Sequence, residues 1–146
     1  MIKKTIGLLI LLVVALNAFS QSKDAIVGKW LSESGEAQIL IYKKGDHYNG
    51  KIVWLKNPNS DQGKPLEDGN NPNKPLQKRP IISLEILQGF VYSEVNLWDK
   101  GTIYDPKSGK TYSCKMTMPT NEKLNIRGYV GISLFGRTES WKKVRL

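Results

Sequence analysis

Apolar and polar side chains alternate along most of this chain, and this period of two is the feature that most limits its fold. The clearest run is residues 111–118, where Tyr112, Cys114, Met116 and Met118 share one face and polar residues fill the other. Successive side chains of a β-strand point to opposite faces of a sheet, so the run predicts a strand with one face buried. Helical periodicity is hard to find, and the pattern therefore predicts an all-β protein.

Turn-forming residues divide the alternating runs into about eight or nine short strands. The best-defined turn spans residues 105–109, where Asp105 can accept from backbone amides, Pro106 fixes φ and Gly109 supplies a left-handed exit. Short turns predict an antiparallel meander, which hides its edges when it closes, or nearly closes, into a barrel. The predicted strands are residues 26–31, 37–43, 48–55, 81–87, 90–95, 97–98 with 102–104, 111–118, 123–130 and about 137–144.

One long Pro-rich loop, residues 56–80, interrupts the alternation. It holds five of the seven prolines and little that could enter a core. Connections of this length usually have a function or are disordered, so the sequence leaves open a lid or a mobile surface loop. Calcium prefers oxygen ligands of the kind found here, but Lys64 and Lys74 interrupt them and turn formation is the expected role. These oxygen-bearing residues are Asp61, Asp68, Asn70, Asn71 and Asn73.

Residues 1–20 have the three parts of a cleavable signal peptide. Lys3 and Lys4 form the positive region, residues 6–16 are almost wholly apolar, and small residues precede the expected cleavage site. The apolar stretch is shorter than the roughly twenty residues that span a bilayer. We therefore expect one exported domain, residues 21–146, in the periplasm or outside the cell, with no stable membrane anchor after signal removal.

Cysteine and histidine are almost absent, and this restricts the chemistry. Cys114 and His47 are the single residues of their types, so neither a disulfide within the chain nor a tetrahedral zinc site is expected. Glu94 and Asp105 are the best candidates for acid–base work, but neither spacing nor neighbours single them out. We predict no catalytic residues, no metal and no cofactor, and an enzyme ranks behind two binding hypotheses.

The net charge of +9 indicates acidic partners. Phosphorylated glycans, anionic lipids and acidic proteins of the cell envelope would all suit it, although the charge also serves solubility. Export makes nucleic acid an unfavourable partner.

Two motifs resemble those of the calycin barrels, the lipocalins and avidin-like proteins. Gly28-Lys29-Trp30 matches Gly-x-Trp at the start of the first strand, and Arg137 is a cation on the last strand. The resemblance implies that Arg137 packs over Trp30 and closes the barrel base by cation–π attraction. Contact between Arg137 and a ligand is the alternative.

A longer series of motifs resembles a family of small exported bacterial proteins called domain of unknown function 2147. The series comprises Gly28-x-Trp30, Gly50-Lys51-Ile52-Val53, Asp68, Asn71-Pro72, Arg79-Pro80, Trp98-x-x-Gly101-x-Ile103-Tyr104-Asp105-Pro106-x-x-Gly109-Lys110-x-Tyr112 and Arg127-Gly128-Tyr129-x-Gly131-x-Ser133-x-x-Gly136-Arg137-x-x-x-Trp141. The resemblance implies a calycin-like barrel and export, and no particular activity. Ser83 replaces a glycine that is usual in the family.

A candidate ligand site follows from the strand phase. If Leu124 and Ile126 face outward, Arg127 and Tyr129 point into the barrel, where a buried arginine must pair with an anion such as a carboxylate or phosphate. An ordinary outward arginine is the alternative, and the aromatic residues are either cavity walls or plain core. The candidate ligand-binding residues are Arg127, Tyr129, Tyr104, Tyr112, Trp54 and Arg79.

Two binding hypotheses follow. The first is a non-enzymatic exported protein that holds a small amphipathic or anionic ligand in the barrel mouth under residues 56–80. The second is an envelope interaction protein with a filled barrel and a basic surface. A cavity of at least about 300 Å³ favours the first, whereas a packed interior favours the second. The basic surface would include Lys78, Arg79, Lys142, Lys143 and Arg145.

Overall fold

The computed structural model describes residues 22–145, in which eight antiparallel strands pair in sequence order and β1 closes on β8. The expected all-β calycin-like barrel is thereby confirmed, while the expected signal peptide, residues 1–20, lies outside the described residues. The strands are β1 (Gly28–Leu31), β2 (Ala37–Lys44), β3 (His47–Leu55), β4 (Glu85–Glu94), β5 (Leu97–Asp105), β6 (Lys110–Thr120), β7 (Lys123–Tyr129) and β8 (Gly136–Lys143).

Local irregularities inside β4 and β5 account for the main differences from the predicted boundaries. Gly89 (φ 75°) lies within β4 and Lys100 (φ 61°) within β5, so each strand continues through residues that were predicted to end it. The predicted strand at residues 81–87 begins only at Glu85. A β-strand tolerates an extra residue as a bulge, which interrupts the alternation in the sequence without ending the pairing.

Side chains from all around the barrel fill its interior. Trp30, Phe90, Trp98 and Met116 are fully buried there. Cys114 lies among them, and burial raises the pKa of its thiol to about 12. The thiol therefore stays protonated and packs as a small hydrophobic group.

The N-terminal segment, residues 22–27, closes one end of the barrel, which we call the plugged end. Trp30 Nε1 donates to Ile26 O at 2.8 Å, and Trp98 Nε1 donates to Lys23 O at 2.9 Å. The Tyr48 hydroxyl donates to Asp24 Oδ1 at 2.5 Å. The segment therefore satisfies the polar atoms of three large buried side chains.

Lys143, and not Arg137, packs over Trp30. Lys143 Nζ lies 4.7 Å from the ring centroid and donates to Val27 O at 3.1 Å. A Cβ at Gly28 would lie 2.5 Å from this Nζ, so Gly28 leaves room for the cation. Arg137 pairs with Gly128 in the ladder, at the opposite end of β8, and the expectation that it caps the indole is wrong.

Replacing Lys143 by methionine is expected to lower the free energy of unfolding by about 1 kcal/mol, because a cation–π contact and a hydrogen bond are lost while an apolar stem remains. Urea unfolding followed by tryptophan fluorescence measures the change. Lys142→Met is the matched control on the exposed neighbouring position, with an expected change below about 0.5 kcal/mol. Equal losses in the two variants would contradict the cap.

Candidate functional site

The chain between β3 and β4, residues 56–84, forms an arm that is held by a buried carboxylate. Asp68 is fully buried and accepts hydrogen bonds from Tyr104 Oη at 2.6 Å, Asn71 Nδ2 at 2.9 Å and Arg79 Nε at 2.9 Å. A buried charge is tolerated when it is paired and hydrogen-bonded, and Asp68 has both kinds of partner. The arm is thus an ordered segment attached to β5 through Tyr104.

The protonation states of this network match its hydrogen bonds. Burial by itself raises the pKa of Asp68, but the hydrogen bonds from Tyr104, Asn71 and Arg79 outweigh it, and the pKa lies below its ordinary value of 3.8. Burial and the neighbouring Asp68 carboxylate raise the pKa of Tyr104 to about 12. At neutral pH, Asp68 is therefore ionised and Tyr104 retains the proton that it donates.

The predicted turn at residues 105–109 provides a second attachment for the arm. Asn70 Nδ2 donates to Pro106 O at 3.3 Å and to Lys107 O at 3.0 Å, while Asp105 Oδ1 accepts from Lys107 N at 3.0 Å. Gly109 has φ 71°, and a Cβ there would lie 1.9 Å from Asn70 O. Glycine is therefore required both for the turn and for the close approach of the arm.

A pocket of about 250 Å³, which we call the arm pocket, lies between the arm and the outer wall of β4, β5 and β6. Gly101 of β5 is buried and faces the interior, so Thr102 and Tyr104, at alternate positions of the same strand, face outward. Their partners in the neighbouring strands, Gln88 and Thr111, face outward with them. The pocket is thus outside the barrel and not in its interior. Its lining residues are Asn71, Pro72, Arg79, Glu85, Ile86, Gln88, Thr102, Tyr104, Gly109 and Thr111.

The arm pocket presents both signs of charge. Arg79 is fixed by Asp68, and its guanidinium lies 5.9 Å from the ring centroid of Tyr104. Glu85 accepts from the Tyr42 hydroxyl and from Gln88 Nε2. Burial raises the pKa of Glu85, but these and other hydrogen bonds outweigh it and lower the pKa below 4.5. The pocket therefore presents a fixed guanidinium, a carboxylate and hydrogen-bonding side chains along one wall.

Two predicted ligand-binding residues, Arg79 and Tyr104, are brought together in the arm pocket, whereas Arg127 and Tyr129 are not. Leu124 and Ile126 are buried in the core, so the other face of β7 points outward. Arg127 Nε donates to Ser133 O at 2.7 Å. The expectation that Arg127 and Tyr129 point into the barrel is wrong, because the two apolar residues of β7 face inward.

The last two predicted ligand-binding residues, Trp54 and Tyr112, also lie apart from the arm pocket. Ile52 pairs with Ile39 and Trp54 with Gln38, which leaves Val53 as an extra residue on β3. This bulge turns Trp54 outward, where it is 41% exposed. Tyr112 pairs with Ile103 and is half-buried, on the inward face of β6.

Sequence reasoning missed Glu85 and gave Asp68 and Asn71 only turn-forming roles. Asp68 is polar and lies in a polar segment, so no local pattern marks it as buried. The motif series did contain Asp68, Asn71 and Arg79 in order, without showing that they form one network.

Among residues 22–145, no group of three or more His, Cys, Asp and Glu side chains is placed to hold a metal ion. The same part of the chain contains no helix long and apolar enough to cross a membrane.

Comparison with known proteins decides the family. Residues 28–143 match DUF2147, described as uncharacterized proteins conserved in bacteria. The chain belongs to this family. No curated protein matches this DUF2147 chain.

The fold of this DUF2147 protein is similar to that of HP1028 from Helicobacter pylori, which is described as belonging to the lipocalin family. The TM-score is 0.72 at 17% sequence identity, and the match covers 82% of each chain. At this identity the likeness shows the fold alone, a lipocalin-like barrel. Ser83, which the motif resemblance aligned with a glycine, has φ 74°, a conformation that glycine adopts without strain.

Replacing Asp68 by asparagine is expected to lower the free energy of unfolding at pH 7 by about 2–4 kcal/mol, since a charged hub of three hydrogen bonds is weakened. The pKa of Asp68 is lower in the folded protein than in the unfolded chain, so the ionised carboxylate stabilises the fold. This stabilisation is complete above the unfolded-state pKa of about 4, and it is lost as the pH falls through the folded-state pKa. Asp68→Asn should therefore reduce the loss of stability below pH 4, as measured by urea unfolding from pH 7 to pH 2. Asp61→Asn, on the exposed part of the arm, is the control. A wild-type pH profile in Asp68→Asn would contradict the assignment.

Replacing Gly109 by alanine tests the contact between the turn and the arm. We expect a loss of about 3 kcal/mol in unfolding free energy, because a side chain at positive φ is strained and its Cβ overlaps Asn70 O. Gly131→Ala is the matched control, since Gly131 has φ 76° and no atom lies within 4 Å of the position that its Cβ would take. A loss of about 1 kcal/mol is expected there. Similar losses at both positions would show that the arm does not press on the turn.

Proposed function

We propose that this DUF2147 protein is a non-enzymatic binding protein and that the arm pocket is its ligand site. The ligand class that suits the pocket is a small polar molecule with an anionic group and hydroxyl groups, as in a sugar acid. The observation that carries this proposal is the position of Arg79, a cation fixed by buried Asp68 at the wall of a polar pocket. The lipocalin-like fold supports small-molecule binding in general.

The geometry of Arg79 favours binding of an anion. Asp68 engages Nε, and Tyr104 lies beside the guanidinium, so the side chain is held in place before a ligand arrives. A cation that is already ordered loses little conformational entropy on binding, and an arginine can form two parallel hydrogen bonds with a carboxylate or phosphate.

The rest of the lining favours hydroxyl groups. Thr102 and Thr111 offer hydroxyl groups, Gln88 offers an amide, and Glu85 offers a carboxylate acceptor. The volume of about 250 Å³ is below the range of roughly 300–1,000 Å³ for drug-sized ligands. The pocket therefore suits a molecule of the size of one sugar ring.

The packed interior is the reason to place the ligand outside the barrel. Trp30, Phe90 and Trp98 occupy the space where a lipocalin-like barrel would hold an amphipathic ligand. We accordingly propose the anionic ligand and not the amphipathic one. We also propose export to the periplasm or beyond, which the composition of residues 1–20 supports.

Native mass spectrometry of the protein purified from its own host tests the proposal. We expect a co-purifying small mass that Arg79→Gln loses and Lys78→Gln, its exposed neighbour, retains. Thr102→Val is the second site variant, since Thr102 lies on the barrel wall outside the Asp68 network and should also reduce retention. Absence of any bound mass, or its retention in both Arg79→Gln and Thr102→Val, would overturn the proposal.

A second candidate function is an envelope interaction protein with a basic surface, and the packed interior favours it. Of its expected surface residues, Arg79 lines the arm pocket, Lys143 covers Trp30 and Arg145 pairs with Glu122. Lys78 and Lys142 remain as exposed cations. Binding to envelope fractions that weakens steeply with salt would support this candidate.

A further inference from the structure

The loop between β7 and β8, residues 130–135, exposes a cluster of large apolar side chains at the end of the barrel opposite the plugged end. We call it the apolar loop. Val130 is 71% exposed, Ile132 57%, Leu134 75% and Phe135 72%. Isolated exposed hydrophobic residues are ordinary, whereas four of them within six residues indicate a contact surface.

Two cations of the neighbouring strands, Arg127 and Lys115, form hydrogen bonds with the apolar loop. Arg127 donates to Ser133 O at 2.7 Å, to Leu134 O at 3.3 Å and to Thr138 Oγ1 at 2.9 Å. Lys115 Nζ donates to Ser133 Oγ at 3.4 Å. Ser133 and the Leu134 carbonyl thus face Arg127 and Lys115, while the four apolar side chains are exposed.

The side chains that hold the apolar loop are cationic. Arg127 and Lys115 hydrogen-bond to it, Arg137 follows it on β8, and residues 127–138 contain no acidic residue. None of Arg127, Arg137 and Lys115 forms an ion pair with a carboxylate among residues 22–145. The apolar loop with cations beside it is complementary to a surface whose interior is apolar and whose outer layer carries negatively charged groups.

We propose that the apolar loop docks the protein reversibly on an anionic lipid bilayer. Leu134 and Phe135 enter the interfacial region, while Arg127 and Arg137 lie at the level of the lipid phosphates. A second copy of the chain is a poorer occupant, because contact between two apolar loops would bring like charges together around an apolar centre. The docking surface is separate from the arm pocket, so either proposal can fail without the other.

Sedimentation with vesicles of phosphatidylglycerol and phosphatidylcholine tests the docking. We expect binding to anionic vesicles, weaker binding to pure phosphatidylcholine, and a decrease as salt rises. The double variant Leu134→Ser, Phe135→Ser should bind anionic vesicles at least tenfold more weakly. Val95→Ser is the matched control, because Val95 is 67% exposed at the plugged end, and it should bind within twofold of wild type.

All variants carry the same N-terminus, so any lipid affinity of residues 1–20 is common to them. Circular dichroism confirms that each variant is folded before binding is compared. Equal binding by the double variant and by Val95→Ser would overturn the proposal. An absence of wild-type binding to anionic vesicles would overturn it as well. A wild-type dimer in analytical ultracentrifugation that the double variant loses would then show that the loop joins two copies.

Discussion

The hydrogen bonding of one buried carboxylate determines how the only long connection of the described barrel is arranged. Asp68 loses its hydration on folding, and this loss is offset because donors converge on it from the arm and from β5. Tyr104 supplies the donor from the barrel wall, so the arm must lie across that wall for the charge to be satisfied. The arm pocket and the orientation of Arg79 are consequences of this requirement.

Because side chains fill the interior, the candidate binding surfaces lie on the outside of the barrel. The plugged end is closed by residues 22–27, which hydrogen-bond to Trp30, Trp98 and Tyr48, and it otherwise carries short turns. The connections at the other end are longer, and they include the arm and the apolar loop. Loops on a rigid scaffold can vary without disturbing the core, which is why recognition surfaces often lie on them.

The fold could be predicted well because it depends on local signals. Alternation, the turn at residues 105–109 and Gly28-x-Trp30 each act over a few residues, and together they specify a closed meander. The phase of a strand is a weaker signal. The bulge at Val53 reverses the face of Trp54, and the inward face of β7 depends on which side the whole sheet curls around.

The candidate site was harder to predict because its residues are distant in sequence and their roles depend on tertiary contacts. Asp68 has the composition and neighbours of a turn residue, and only the approach of Tyr104 makes it a buried hub. Lys143 took the place expected for Arg137 for a related reason, since the register of β8 on β1 decides which cation meets Trp30. Contacts between segments that are distant in sequence, such as Tyr104 with Asp68 and Lys143 with Trp30, are thus the information that a single sequence lacks.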